Sequence, residues 1–393
     1  MTNDGKMLIY IVSDIHFHDT IARRLYEELE GSFLHHLEQE APEVDMVVIA
    51  GDLFDRKVMF NSDAAMLALK FVGRIVDLMH DDLTDGHKPV RILKGTRTHD
   101  HDLLNTFNFM DKGKNVEVVN TITGEEVVPH FNVLYIPEEY PVDWQEYYSD
   151  WLACTETEIE AESESPAWDV IFLHGMIDFE AHSSIVIDSE RPVHSAPVFP
   201  TDVLLASGYV TIAGHVHVPS SRQDRIFYCG SYTRFAYGED HPKGWIRLEY
   251  DAEIGASKVL RIENTAAPEY KTVRLSEVYD PEADVDENVK SIQEVAEGIH
   301  LRLDVDMEQG EKVRSDLAVV RERFADDDRL KLKIDRRGVL PKPEDSEDQR
   351  TEFLAKPGTT VAEAVHGYVG VTSPDVSITL DEVKQIISPE KES

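Results

Sequence analysis

Cysteine is scarce: Cys154 and Cys229 are the only two in 393 residues, and they lie far apart. Without a Cys-x-x-Cys pair, neither a disulfide framework nor a zinc ribbon is available, and a reducing cytoplasm is expected. Positive charge is scarce too. Lys and Arg number 39 against 76 Asp and Glu, a formal net charge of -37. That balance argues against a broad basic face laid on nucleic acid. Contact with DNA would have to be local, with bound divalent cations or a partner supplying the missing positive charge. No apolar run approaches the ~20 residues that cross a bilayer. The stretch MTNDGKMLIY lacks a charged-then-apolar signal segment, so neither secretion nor membrane association is expected.

What is present is a repeated plan. Leu8–Asp19 reads LIYIVSDIHFHD, an apolar β-branched and aromatic run that stops at Asp14 and His16. Such a run fits a strand buried on both faces. In open α/β sheets the carboxyl ends of strands are where ligands bind. The plan recurs at Val44–Ala50 before GDLFDR (Gly51–Arg56), at Val90–Leu93 before GTRTHDHD (Gly95–Asp102), and at Trp168–Leu173 before His174. It recurs again at Val210–Ala213 before GHVH (Gly214–His217), while Phe131–Ile136 is a further short strand. Folding alone does not require Asp or His at each of those ends.

Ile21, Leu25, Leu29 and Phe33 fall on one face of a predicted helix, and Leu67, Phe71, Ile75, Leu78 and Met79 on another, capped by Asn61 or Ser62. The β-α-β-α order points to an α/β fold. Thr155–Pro166 is a glutamate-rich solvated loop. From Tyr270 the character changes. Tyr270–Leu275, His300–Asp306 and Arg329–Asp335 read as strands with one wet face, and 285–297 and 312–324 as helices. The expected organisation is a catalytic domain over 1–265, a small α+β capping or DNA-contact domain over 266–340, and a linker and helical tail over 341–393. In the tail, Leu340–Arg350 reads as the linker, and Val361–Tyr368 and Leu380–Ile387 as short helices that could bind a partner.

The candidate metal ligands are Asp14, His16, Asp52, His174, His215 and His217, with His99 close by. Carboxylates mixed with imidazoles suit first-row divalent ions. So many donors exceed one ion's needs, whereas two ions about 3.5–4 Å apart, bridged by one carboxylate, would use them and would clamp a phosphate ester for in-line displacement. Asp52, behind a glycine in a tight turn, is the candidate bridge. Most other histidines (His35, His36, His80, His87, His182, His194, His241) read as surface or helix-end residues. His18 and His101 neighbour the motifs and are weaker candidates for substrate contact.

In this order and spacing the motifs DIH, GDLFDR, His99-Asp100, His174-Gly175 and GHVH resemble the calcineurin-like metallophosphoesterases. FYCGSYTRFAYGEDHPKGW (Phe227–Trp245) further resembles the GS…GE…KG segment of SbcD-type nucleases. The resemblance implies a layered α/β/β/α sandwich with a smaller α+β cap. It implies Asp14, His16, Asp52 and His217 around one metal and Asp52, His174 and His215 around the other, with manganese expected ahead of magnesium, iron or zinc. His99 would be the acid at the leaving oxygen, oriented by Asp100, with Asp55 and Arg56 beside the site as an ion pair or a phosphate contact. Tyr232 and Arg234, inside GSYTR, read as packing residues and a surface ion pair or, alternatively, as substrate contacts. The implied activity is a Mn-dependent DNA nuclease, both 3′-5′ exonuclease and single-strand endonuclease. It would act in double-strand-break repair as a homodimer with an SbcC-like coiled-coil ATPase. The alternatives are a small-molecule phosphodiesterase or phosphatase and a non-catalytic scaffold. One departure stands out. The family reads GNHD where this chain reads GTRTHD, leaving the Asn ligand's place to the Thr98 hydroxyl or to water.

Overall fold

Alternation along the first strand sends its side chains into two different cores. Leu8, Tyr10 and Val12 pack with one cluster and Met7, Ile9 and Ile11 with another, all of them buried. A strand wetted on neither face is continuously apolar, which is why LIYIV shows no polar alternation. The computed structural model describes residues 6–56, 58–81, 86–110, 115–153, 166–179, 197–297, 299–305, 310–324 and 330–333. Cys154, the glutamate-rich stretch 155–165, His182, His194, and the linker and tail expected over 341–393 lie outside the described residues.

Twelve strands build two sheets. In chain order they are β1 (Lys6–Val12), β2 (Met46–Ile49), β3 (Val90–Leu93), β4 (Val116–Val119), β5 (Thr123–Val128), β6 (Phe131–Ile136), β7 (Trp168–His174), β8 (Gly208–Gly214), β9 (Ser220–Arg222), β10 (Ile226–Tyr228), β11 (Gly244–Asp251) and β12 (Ala256–Glu263). One sheet runs β12-β11-β1-β2-β3-β4 and the other β9-β10-β8-β7-β6-β5. The β1, β2, β3 and β4 pairings are parallel, as are β6 with β7, β7 with β8 and β8 with β10. Ile9, Ile11, Val48, Phe172, Val210, Ile212 and Leu248 fill the core shared by both sheets.

Helices cover the first sheet's other face. Ala22–Leu29 runs through a π-helical stretch, Glu30–Leu34, into His35–Glu40, burying Leu25, Leu29 and Phe33 as their spacing predicts. The helix α1 (Asp63–Leu78) is capped by Ser62, whose side chain accepts from the Ala65 amide, and buries Phe71, Val72 and Ile75. A third core, including Leu134, Ile171, Leu173 and Leu204, lies on the second sheet's far face. The result is the layered α/β/β/α arrangement expected. Farther along, Glu269–Arg274, Ile299–Asp304 and Leu330–Lys333 form a three-stranded sheet in that order.

The chain divides into two units, Met1–Thr272 with Ala296–Leu301, and Val273–Val295 with Arg302–Ser393. Within the second, helices Val285–Val295 and Glu311–Arg323 bury Val289, Ile292, Leu317 and Val320. There the Tyr279 hydroxyl donates to Asp316 at 2.9 Å. No described helix is long and apolar enough to cross a membrane.

Candidate metal centre

The ligand loops begin where strands stop, but their pairing does not. Beyond β1 and β2 the Asp14 amide donates to Gly51 O, the Ile15 and His16 amides to Asp52 O, and the Phe17 amide to Leu53 O, at 2.8–3.1 Å. The Asp55 amide returns a bond to Phe17 O at 3.1 Å. Asp14, His16, Asp52 and His215 have φ of 51°, 54°, 51° and 88°. A left-handed backbone costs an L-residue of order 1–3 kcal/mol, so side-chain aim outweighs local strain at these four positions. Close approach also demands glycine. A Cβ on Gly51, itself at φ 92°, would stand 2.0 Å from His174 Nδ1, and one on Gly95 would stand 2.2 Å from the Asp52 amide nitrogen.

Two groups of donors result. The donor atoms of Asp14, His16 and His217 lie within 4.8 Å of one another, and so do those of Asp52, His174 and His215. In the first group His16 Nε2 stands 2.9 Å from His217 Nε2 and 3.9 Å from Asp52 Oδ2. The Asp14 carboxylate is fixed by the Ser13 hydroxyl at 2.6 Å and the His215 amide at 3.1 Å. In the second group His174 donates Nδ1–H to Ala50 O at 2.7 Å, which turns Nε2 toward Asp52 Oδ1, 3.4 Å away. A third triad, His16, Asp55 and His99, also meets the spacing. Among the described residues His174 Nε2 and His16 Nδ1 are buried without a hydrogen-bond partner. Orphaned imidazole nitrogens beside carboxylates are what divalent first-row ions require, so the residues fit such ions.

Charge and burial set the protonation of the metal-free protein. Burial pushes His16 well below the ordinary imidazole value against the pull of Asp52. Burial would raise Asp52, yet the charge of His174 and the hydrogen bond from His99 hold it well below the usual carboxylate range. His174, which burial alone would lower, is pushed up to about 10 by Asp52. His99 is likewise pushed up to about 9 against its burial, because Asp52 accepts its hydrogen bond. Burial and then the charge on His174 lower His215. His174 and His99 thus converge on the Asp52 carboxylate, which lies between the two donor groups.

His99 meets Asp52, not Asp100. Its Nδ1–H donates to Asp52 Oδ2 at 3.0 Å. Asp100 corrects the expectation of a catalytic partner. Its two oxygens accept from the Phe54 and Gly95 amides at 3.1 and 2.9 Å, pinning one loop to the other, and burial followed by the charge of Asp52 pushes it up to about 7. Thr98 is corrected too: it is exposed, and its carbonyl accepts from His101. The inserted loop instead turns Thr96 inward, its hydroxyl 3.1 Å from Asp52 Oδ2 and 3.3 Å from His215 Nδ1. Tyr232 and Arg234 are not offered to substrate. Tyr232 is fully buried and donates to Glu28 O, and Arg234 bonds the carbonyls of Glu239 and Ala267. An aromatic and a guanidinium have the same composition in a buried network as on a binding face, and here packing claims them. Arg56 stays exposed beside Asp55, 3.9 Å away.

Three residues escaped sequence reasoning. Lys243, almost fully buried, donates to Ser231 Oγ at 2.8 Å and His217 O at 3.1 Å, and pairs with Glu239 at 3.1 Å. Glu239 in turn stands 3.9 Å from His217 Nδ1. The GS…GE…KG segment is therefore the support of His217, which was its legible signal. Glu138, two residues past β6, is buried 3.9 Å from His215 Nδ1. Its signal was an acid at the carboxyl end of a sheet strand, masked by the intervening Pro137.

Protein 244L of Invertebrate iridescent virus 6, named as a phosphoesterase, is 24% identical over 253 residues, spanning 63% of this chain and 80% of that protein. Among solved structures, GAP50, the anchor in the inner membrane complex of Plasmodium, is 13% identical. That match covers 78% of this chain and 98% of GAP50, with a TM-score of 0.36. TT1561 of Thermus thermophilus is 10% identical over 65% of this chain and 98% of its own, with a TM-score of 0.34. Residues 7–247 match the Calcineurin-like phosphoesterase family, from within β1 to within β11 and so across every candidate ligand; the chain belongs to that family.

Proposed function

We propose that this phosphoesterase is an SbcD-like, manganese-dependent DNA nuclease, a 3′-5′ exonuclease and single-strand endonuclease. On this reading it works in the cytoplasm in double-strand-break repair, as a homodimer with an SbcC-like coiled-coil ATPase. The observation that supports the finer assignment is the packing of Ser231, Glu239 and Lys243 beneath His217, since the segment carrying them resembles that nuclease class. The net charge of -37 fits a subunit whose partner holds much of the DNA.

Asp14, His16, Asp52 and His217 would hold one divalent ion and Asp52, His174 and His215 the other. When bound, such ions supply Lewis acidity toward phosphoryl oxygens and lower the pKa of water. The chain's own contribution is positional. In the displacement an oxygen from water bonds to phosphorus as the ester P–O bond breaks, and the leaving oxygen needs a proton. His99 is held by Asp52 through Nδ1, leaving Nε2–H to serve that oxygen.

Turnover of single- and double-stranded DNA in Mn²⁺ should be compared with that of cyclic nucleotides and an activated phosphodiester. DNA shortened from its 3′ ends is expected. Hydrolysis confined to cyclic nucleotides or the small diester would favour the second reading, a small-molecule phosphoesterase. That reading draws support from the burial of Tyr232 and the backbone bonds of Arg234, which remove two DNA contacts.

A further inference from the structure

Among the described residues the second donor group has three protein ligands, Asp52, His174 and His215, and the inserted loop brings no carboxamide to it. Glu138 approaches His215 of that group from the loop just past β6. Its Oε1 accepts a hydrogen bond from the Tyr140 hydroxyl at 2.6 Å, and its amide donates to Lys94 O at 3.1 Å, immediately before the inserted loop. One oxygen and the backbone are thus fixed. The other oxygen, Oε2, is buried, has no hydrogen-bond partner among the described residues, and lies 3.9 Å from His215 Nδ1. His174 Nε2, paired with Asp52 Oδ1 at 3.4 Å, makes no hydrogen bond among the described residues either.

An unsatisfied buried carboxylate oxygen carries a desolvation penalty of several kcal/mol, and native structures retain such atoms where an ion or a water completes them. We propose that Glu138 is a ligand of the ion held by Asp52, His174 and His215, supplying through Oε2 the oxygen that the altered loop does not. Tyr140 is its positioning residue. The set becomes two carboxylates and two imidazoles, a harder and more negative site than one completed by a neutral donor, which favours Mn²⁺-like ions. Thr96 is the rival donor. Its hydroxyl, however, is already directed at Asp52 Oδ2 at 3.1 Å, whereas Glu138 Oε2 has no hydrogen-bond partner among the described residues.

This inference rests on the metal-site reading but not on DNA as substrate, and ion counting separates the two. The full-length chain, stripped with chelator, is titrated with MnCl₂ by calorimetry, and Mn–Mn coupling is followed by electron paramagnetic resonance without substrate. The unmodified protein should bind two ions and show coupling. Glu138→Gln should keep one ion at unchanged affinity and bind the second at least about tenfold more weakly, with coupling lost at stoichiometric metal. Tyr140→Phe, which leaves the carboxylate in place, should weaken the second ion by a smaller factor, and it serves as the test should Glu138→Gln fail to fold. Two ions at unchanged affinity in the folded variants would overturn the assignment. So would an unmodified protein that binds a single ion, or second-ion binding abolished by Thr96→Val but untouched by Glu138→Gln.

Discussion

Asp52 shows how much one carboxylate can organise. Its oxygens face His99, His174 and the Thr96 hydroxyl at 3.0–3.4 Å, and Gly95 packs so closely on it that a Cβ there would stand 2.2 Å from Oδ1. Because His99 contributes through a proton rather than as a member of the two main donor groups, His99→Ala should lower turnover by roughly 10²-fold or more. The Mn²⁺ count from calorimetry should stay unchanged. A pH effect follows from His174. Pushed up to about 10, it is protonated in the metal-free protein at neutrality, and a metal must displace the proton on Nε2. Acid therefore opposes the metal. Affinity for the ion at Asp52, His174 and His215 should rise about tenfold per pH unit from pH 7 until the pH nears that value, with about one proton released from His174 as it binds. Titrations in buffers of different ionisation enthalpy would read that proton directly. Residue identity was legible at strand ends, where an acid or histidine interrupts an apolar run. It was not legible within Gly95–Thr98, since which of two threonines faces Asp52 depends on the path of a turn. Nor was Glu138 legible, because its neighbour His215 comes from a strand of distant sequence.

At the scale of elements, the strands were readable because burial on both faces writes an unbroken apolar run, and α1 because a capping serine precedes an apolar stripe at helical spacing. The π-helical stretch Glu30–Leu34 left no mark, since an extra residue in a helical turn barely disturbs the Leu25-Leu29-Phe33 pattern. The sequence left the roles of Tyr232 and Arg234 open for a related reason: composition reports which groups are present, while only packing reports which way they face. The loop after β3 is held to the loop after β2 by Asp100, which accepts from the Phe54 amide, and by the close approach of Gly95 to Asp52. Gly95→Ala should therefore push the two loops apart. A loss of about 1–3 kcal/mol is expected in denaturant unfolding, together with loss of the ion at the Asp52 group. A variant of wild-type stability and metal content would show that the loops tolerate separation.

For the molecule as a whole, the acidic excess constrains how any polyanion approaches. With a net charge of -37, metal-free chain should repel DNA, so retention on a filter should require Mn²⁺ and vanish with EDTA, more sharply at low salt where screening is weak. The paired ligand loops beyond β1 and β2 carry a different consequence, one of timescale. Their amides, from Asp14 to Phe17, are bonded across to Gly51, Asp52 and Leu53 as strand residues would be, so the ligand backbone opens only when the sheet does. Hydrogen exchange at Ile15, His16 and Phe17 should then be as slow as at Ile9 and Ile11, orders of magnitude slower than at Arg97 and Thr98, with or without metal. By that clock the centre is part of the core rather than of the surface it borders.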